Sequence, residues 1–384
     1  MIVTHLKLMN WRNFQKVDVP LRNRMFITGP NASGKSNLLD AFRFLRDIAK
    51  PGGGLQTAVT ERGGLSKLRC LAAKQNPQVE VEVHLANAEG AEPTWRYAIG
   101  IKQETRGYRK PYLVHEKVWN NGKQIINRPE DDDIKDDLRL SQTYLEQINS
   151  NSEFRPIVKF FSDVLYLHLV PQLLRHPDYF TGPSMPGDPF GKSFLERMAK
   201  TPQKTRKARL RKIEAALRIA VPQLKGLTDA VDERGVPHLE ATYEHWRARG
   251  AKQREDQFSD GTLRMMGLFW SLLEKDSLLL LEEPEMSLNT EIVRRLPSLM
   301  YQVQQKSKRQ RQMLISTHSE ELLQDDGIAA EEVLFLQPEV EGTQVKLAAD
   351  IPEIVALVKN GLSVGEAVMP KTRPQKIVQL RLLS

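Results

Sequence analysis

The chain has 384 residues, 40% hydrophobic and 27% charged, enough for a large buried core in one or two domains. Its 56 Lys and Arg outnumber 48 Asp and Glu, and the resulting net charge of +8 favours anionic partners. A single cysteine, Cys70, excludes a disulfide framework or a cysteine-built zinc site, and no apolar run approaches the ~18 residues of a membrane span.

The opening, MIVTHLKLMNWRNF, has no signal-peptide pattern, so a cytoplasmic protein with no membrane partner is expected. Short strands come first: IVTHLKL (2–8), KVDVPL (16–21) and RMFITG (24–29). A helix is predicted from Gly34 to about Ile48, stopped by Pro51-Gly52-Gly53-Gly54. Valine-rich alternation at 79–86, 95–101 and 112–119, with a turn at Asn120-Asn121-Gly122, predicts antiparallel β structure. From Ser141 the pattern becomes helical through LSQTYLEQI and FRPIVKFFSDV, and a strand at 164–170 interrupts it. A Pro/Gly-rich loop covers 177–191. A basic helix follows from Thr201 to about Ala220, with Thr201 as N-cap and Pro202 at the first helical position. A hairpin is expected over 226–246. Then come FSDGTLRMMGLFW, a strand SLLLLEEP, a helix from Thr290, and the strands QMLISTHS and EVLFLQP. Alternating strands and helices beyond 258 predict a parallel sheet. The expected organisation is a lobe over 1–140, a helical basic insertion over 141–225, a second lobe over 226–350 and a tail over 351–384.

GPNASGKSN, residues 29–37, fits the pattern G-x-x-x-x-G-K-[ST] between an apolar strand and a helix. A chance match in a chain of this length occurs on the order of once in a hundred sequences. Glycines there let backbone amides converge on phosphate oxygens, and the helix N-terminus adds its positive end. Lys35 would reach the β- and γ-phosphates, and Ser36 Oγ would ligate Mg²⁺.

Glu282 and Glu283 follow a run of four leucines, which suits a strand buried on both faces and ending at the ligand edge of a parallel sheet. Neighbouring strand residues point to opposite faces, so one carboxylate can serve the metal and the other a water. Glu282 is assigned to Mg²⁺ and Glu283 to the attacking water as base or positioner. His318, after the strand LIST, is placed to bond a γ-phosphate or that water.

A phosphate loop, then Ser-Asp-Gly, then a leucine strand ending in Glu-Glu, then Thr-His-Ser resembles the motif order of ABC-type ATPases. Within them the chain is similar to the RecF/SMC-like branch and the ATPase part of OLD-family proteins, small members of which are called AAA-21 or AAA-15 type ATPases. The opening LKLMNWRNF looks like that branch's first strand and turn. The resemblance implies an α/β head with an antiparallel β lobe, a parallel-sheet lobe and a short helical insertion. It implies a nucleotide loop of Gly29, Asn31, Gly34, Lys35, Ser36 and Asn37, with ATP and Mg²⁺ as ligands. It makes Ser259, Asp260 and Gly261 the signature, in place of the Leu-Ser-Gly-Gly-Gln of transporters. Ser287-Leu288-Asn289 falls at the D-loop, His318 matches the switch histidine, and Glu282 stands where Asp is commoner. Gln172, with Gln56 as the alternative, is the candidate Q-loop glutamine, and Arg12 is expected near the nucleotide.

Lys200, Lys204, Arg206, Lys207, Arg209, Arg211, Lys212 and Arg218 make the expected insertion helix basic, while Leu210, Ile213 and Leu217 give it one packing face. Its basic faces are left to solvent or to DNA or other nucleic acid. The acidic run at 130–133, with Asp136 and Asp137, reads as a solvated loop. The segment after His318 lacks the acid clusters of the nuclease domain found in OLD-family proteins, so any nuclease effector is expected to be a separate protein.

The expectation is therefore an ATP-hydrolysing homodimer with nucleotides sandwiched between copies, acting on DNA or on a separate effector in prokaryotic anti-phage defence or genome maintenance. The alternatives are a RecF-like DNA clamp and a nearly ATPase-silent scaffold that controls a nuclease.

Overall fold

Strand alternation, helix periodicity and glycine-marked turns organise most of the chain. The computed structural model describes residues 1–73, 77–177, 187–244, 251–274, 277–305 and 311–373. The middle of the Pro/Gly-rich loop, Trp246 of the expected hairpin and the tail beyond Arg373 lie outside the described residues. In chain order, β1 (Ile2–Trp11), β2 (Phe14–Pro20) and β3 (Arg24–Thr28) precede α1 (Lys35–Ala49), α2 (Leu55–Thr60) and α3 (Leu65–Leu68). Then follow β4 (Val79–Ala86), β5 (Trp95–Gln103), β6 (Pro111–Asn120), β7 (Lys123–Arg128), α4 (Asp131–Lys135) and α5 (Arg155–Ser162). Next are β8 (Leu165–Leu167), α6 (Pro171–Arg175), α7 (Phe194–Lys200), α8 (Gln203–Ala220), β9 (Leu224–Val231), β10 (Pro237–Tyr243) and β11 (Ala251–Arg254). The rest comprises α9 (Asp260–Glu274), β12 (Leu279–Glu282), α10 (Thr290–Gln305), β13 (Met313–Ser316), α11 (Glu320–Leu323), β14 (Val333–Glu339), β15 (Gly342–Leu347), α12 (Pro352–Lys359) and α13 (Val364–Val368).

These elements form two compact units: residues 1–164, 312–318 and 328 onward, and residues 165–311 with 319–327. The first unit holds an antiparallel sheet in the order β2-β1-β4-β5-β6-β7. Val79, Val81, Val83 and Leu85 of β4 are buried while Glu80, Glu82 and His84 alternate on the partly exposed face. The same unit runs β14, β3 and β13 in parallel, with β15 antiparallel at the edge. Helix α1 supplies Leu38, Leu39, Phe42, Phe44, Leu45 and Ile48 to its core, all essentially without solvent exposure.

In the second unit β12 pairs in parallel with β8, and β9, β10 and β11 form a three-stranded antiparallel sheet where a two-stranded hairpin is expected. Leu278–Leu281 are buried, as the leucine run predicts. Helix α8 contributes Leu210, Ile213 and Leu217, and α9 contributes Leu263, Met266, Phe269 and Trp270. Among the described residues no helix is long and apolar enough to cross a membrane.

Three local expectations need correction. LSQTYLEQI forms turns after the 3-10 helix Asp137–Ser141 ends, with α-helix only at 155–162, because the buried Glu116 carboxylate takes the amides of Tyr144 and Leu145 at 2.7 and 3.2 Å. Thr201 does not cap α8: its hydroxyl donates to Arg197 O at the end of α7, and Pro202 occupies the N-cap position. The acidic run is not a loop but opens α4, and it is only partly solvated. Asp131 and Asp132 are exposed, but Asp133 is buried and pairs with the fully buried Arg128 at 2.9 Å.

Candidate nucleotide site and signature turn

The phosphate loop leaves β3 and enters α1 in the first unit. Gly34 has φ 99°, and a Cβ there would lie 2.3 Å from Asn13 Nδ2, so both the backbone and the neighbour require glycine. Ala32 also takes a left-handed φ of 61°. Lys35 is 6% exposed, and its ammonium donates to Gly29 O at 3.1 Å and Pro30 O at 3.2 Å, so the charge is held inside the loop. Asn31 and Ser36 are exposed, whereas Ser33 is fully buried and its Oγ has no hydrogen-bond partner among the described residues. A caged ammonium, an orphaned hydroxyl and an exposed Ser36 at a helix N-terminus fit a triphosphate with its magnesium ion.

Strand register brings His318 to this loop. β13 runs parallel to β3 with Ser316 opposite Ile27, and Thr317 N donates to Ile27 O at 3.0 Å. His318 therefore leaves its strand beside the start of the loop, and its Nδ1 lies 3.4 Å from Lys35 Nζ. Arg12 contacts α1. Its guanidinium bonds Asp40 of α1 at 2.8 Å, in a buried network with Arg62 and Asp47. Burial opposes the charge on Asp40, but Arg62 and Arg12 outweigh it and hold the carboxyl below its ordinary range.

Asn13, one residue past Arg12, is a loop contact that pattern reading misses. Its Nδ2 donates to Ser33 O at 2.7 Å and Thr343 Oγ1 at 2.8 Å, while its Oδ1 accepts from Asn37 Nδ2 at 2.9 Å. Trp11 Nε1 donates to Asn37 O at 2.8 Å. The turn Asn10-Trp11-Arg12-Asn13 is thus a brace for the phosphate loop. Gln56 donates to Pro111 O and Ser141 O, which commits it to holding its own surroundings.

The second unit carries the acidic pair and residues 259–261, the expected signature. Glu282 ends β12 and accepts a hydrogen bond from the Tyr166 hydroxyl of β8, a partner absent from the expected set. Glu283 has φ 46° and Ser287 φ 63°, left-handed values that are uncommon for residues other than glycine and cluster at functional sites. Ser259 Oγ accepts from Thr262 N at 3.2 Å and so caps α9 as an ordinary N-terminal serine would. A Cβ on Gly261 would stand 3.0 Å from Ser287 O, so glycine lets the signature lie against the loop at 287–289. These two segments line an open cleft of 570 Å³ together with Tyr243 and Ile292.

Asp260 is tied to α6. Gln172 Nε2 donates to Asp260 Oδ2 at 2.9 Å, and Arg175 Nη2 reaches Asp260 Oδ1 at 2.5 Å and Phe258 O at 2.7 Å. Arg264, the one charged residue between Thr262 and Leu272, is 5% exposed, and its Nε and Nη1 have no hydrogen-bond partner among the described residues. Burial lowers its pKa against the pull of Glu285, Asp260 and Glu283. A lone arginine in the apolar run TLRMMGLFW was the available signal for it.

A P-loop beside a strand-end histidine, and a serine-capped signature beside an acidic strand end, define an ABC-type ATPase head of the RecF/SMC-like branch. The chain belongs to the AAA_21 family, described as "AAA domain, putative AbiEii toxin, Type IV TA system", which matches over residues 24–324. It is 42% identical over 57 residues to the DNA replication and repair protein RecF of Brucella abortus (strain 2308), covering 15% of this chain and 14% of that one. It is 31% identical over 109 residues to RecF of Roseiflexus castenholzii (strain DSM 13941 / HLO8), covering 24% and 28%. The matches thus span a minor part of those relatives' length. The fold is similar to an SMC head solved with the C-winged helix domain of ScpA, at 17% identity, TM-score 0.52 and coverage of 90% and 97%. It is also similar to a Pyrococcus furiosus Smc head with an extended coiled coil, at 13% identity, TM-score 0.50 and coverage of 93% and 99%.

Proposed function

We propose that this protein binds and hydrolyses ATP and uses it to switch between separate and paired copies. The observation that carries the reading is the caged Lys35 ammonium, held on Gly29 O and Pro30 O and 3.4 Å from His318. Gly29, Asn31, Gly34, Lys35, Ser36 and Asn37 would hold the phosphates, and Ser36 with Glu282 would hold Mg²⁺. That ion would neutralise charge on the phosphates. Glu283 would position and deprotonate the attacking water, and His318 would bond the terminal phosphate.

Ser259, Asp260 and Gly261 of one copy would complete the site of another, because the signature and the loop at 287–289 face an open cleft. Gln172 would act with the signature, and Arg12 would support the loop through α1. ATP would close the pair and hydrolysis would release it. The pair would act on DNA or on a separately encoded effector such as a nuclease, in prokaryotic anti-phage defence. Loss of ATP binding in Lys35→Ala is the first test, and turnover at the wild-type rate in that variant overturns the assignment.

A second reading, a nucleic-acid clamp, has its own support. Arg206 and Arg209 of α8 serve the fold: Arg206 pairs with Asp229 at 2.8 Å, and Arg209 lies over Trp270. Lys204, Lys207, Arg211 and Arg218 remain exposed at a spacing that aligns them on one helix face. Duplex DNA binding that weakens steeply with salt, and weakens again when these four are changed to Glu, is the expected result; binding indifferent to both changes removes this reading.

A further inference from the structure

A carboxylate is an awkward group for a turn that is to meet phosphate. Asp260 stands between Ser259 and Gly261, where the proposed sandwich brings the ATP of a second copy. Like charges repel there, and the repulsion strengthens as closure expels water. Both oxygens of Asp260 are nevertheless occupied. Arg175 Nη2 lies 2.5 Å from Oδ1, and Gln172 Nε2 donates to Oδ2 at 2.9 Å. The same Arg175 nitrogen donates to Phe258 O at 2.7 Å, so one guanidinium ties both ends of the Phe258–Asp260 turn. The ion pair is only partly open to solvent, with the Arg175 side chain 20% exposed and that of Asp260 34%. From the inner side, buried Arg264 adds a second positive charge within electrostatic reach of Asp260.

We propose that Arg175 is a positioning residue that cancels the charge of Asp260 and so lets the signature turn accept the triphosphate of a second copy. Gln172 assists by taking the other oxygen, which keeps the carboxylate turned toward α6. The proposal rests on the ATP-sandwich reading and extends it. In a signature with glycine in place of Asp260 no such arginine is needed. The aspartate and the arginine therefore form one functional unit, and removing the arginine alone leaves a negative charge without its ion-pair partner at the closing face. A purely structural role for Arg175, exerted through Phe258 O, makes a different prediction, because that hydrogen bond does not depend on residue 260.

The test is a double-mutant cycle on the full chain with Arg175→Met, which keeps the apolar stem, Asp260→Gly, and the pair together. Steady-state turnover gives kcat and KM for ATP. Light scattering in the Glu283→Gln background gives the ATP concentration for half-maximal pairing, and a thermal melt reports folding. Arg175→Met should raise KM and the half-maximal ATP concentration at least roughly tenfold, as expected when one partner of a charge pair is removed. Arg175→Lys should recover most of that loss. The double variant should fall within about threefold of Asp260→Gly alone, since the two residues share one interaction. Equal losses from Arg175→Met with Asp260 present and in the Asp260→Gly background overturn the proposal and assign Arg175 to the turn's structure. Unchanged KM and pairing in a folded Arg175→Met protein also overturn it. A protein with Arg175 and Asp260 intact that stays monomeric with ATP overturns the sandwich reading itself, and the proposal with it.

Discussion

Asn13 stands where a side chain on Gly34 would have to go: a Cβ on Gly34 would lie 2.3 Å from Asn13 Nδ2. The amide that excludes it donates to Ser33 O and Thr343 Oγ1 and accepts from Asn37. Asn13→Ala should leave the Ser33 carbonyl and the Asn37 amide short of partners, at a cost of about 1–3 kcal/mol. ATP affinity should fall roughly tenfold or more, as 1.4 kcal/mol corresponds to a factor of ten. Titration with a fluorescent ATP analogue checks this, and unchanged affinity would show that the brace has no part in binding.

Gly34→Ala should be the more severe change. Its left-handed φ of 99° adds backbone strain to the clash with Asn13. Nucleotide binding should drop below detection by calorimetry while the fold persists by circular dichroism.

Glu283 is the proposed base, and its left-handed φ of 46° marks a strained position. Glu283→Gln should keep ATP binding and slow turnover by about 10²–10⁴-fold, the usual contribution of a positioned base. Single-turnover phosphate release measures this. Release at the wild-type rate would move the base elsewhere.

Arg128 is fully buried between Glu116 at 3.1 Å and Asp133 at 2.9 Å. Burial raises the pKa of Glu116 even with the Tyr144 amide and Arg128 against it, whereas Asp133 is held below its ordinary range by Arg128 despite its own desolvation. Arg128→Met removes the shared cation and leaves two buried acids. A loss of about 3–5 kcal/mol in urea unfolding is expected. A loss within about 1 kcal/mol would show that the acids are neutral or rehydrated in the fold.

Acid should weaken the antiparallel sheet through Glu82. Burial raises its pKa, but hydrogen bonds from His84 and Arg96 more than reverse this and bring it to about 2. The folded value lies below the ordinary 4.5, so the stabilisation is complete above about pH 4.5 and is lost as pH falls toward 2. Allowing for solvent screening of the partners, about 1–2 kcal/mol should be lost across that window. Glu82→Gln should remove this part of the pH dependence in urea midpoints measured between about pH 2 and 5; an identical slope would assign it to other carboxylates.

Local chemistry was legible in the chain, and distant pairing was not. The glycine spacing of residues 29–37, the leucine run before Glu282 and Glu283, and the alternation of β4 each act over a few residues, so backbone sterics and periodicity determined them. Local pattern misjudged 140–148, because Glu116 lies far away in sequence and captures amides that a helix would use. Only tertiary structure set His318 beside Lys35 across 283 positions, Asn13 beside Thr343 across 330, and Arg175 on Asp260 across 85. Only the packing of α8 separated the cations that serve the core from those that face solvent. The reason is physical: strand register and helix docking bring together side chains whose types are ordinary in isolation, and no local pattern encodes which of them will meet.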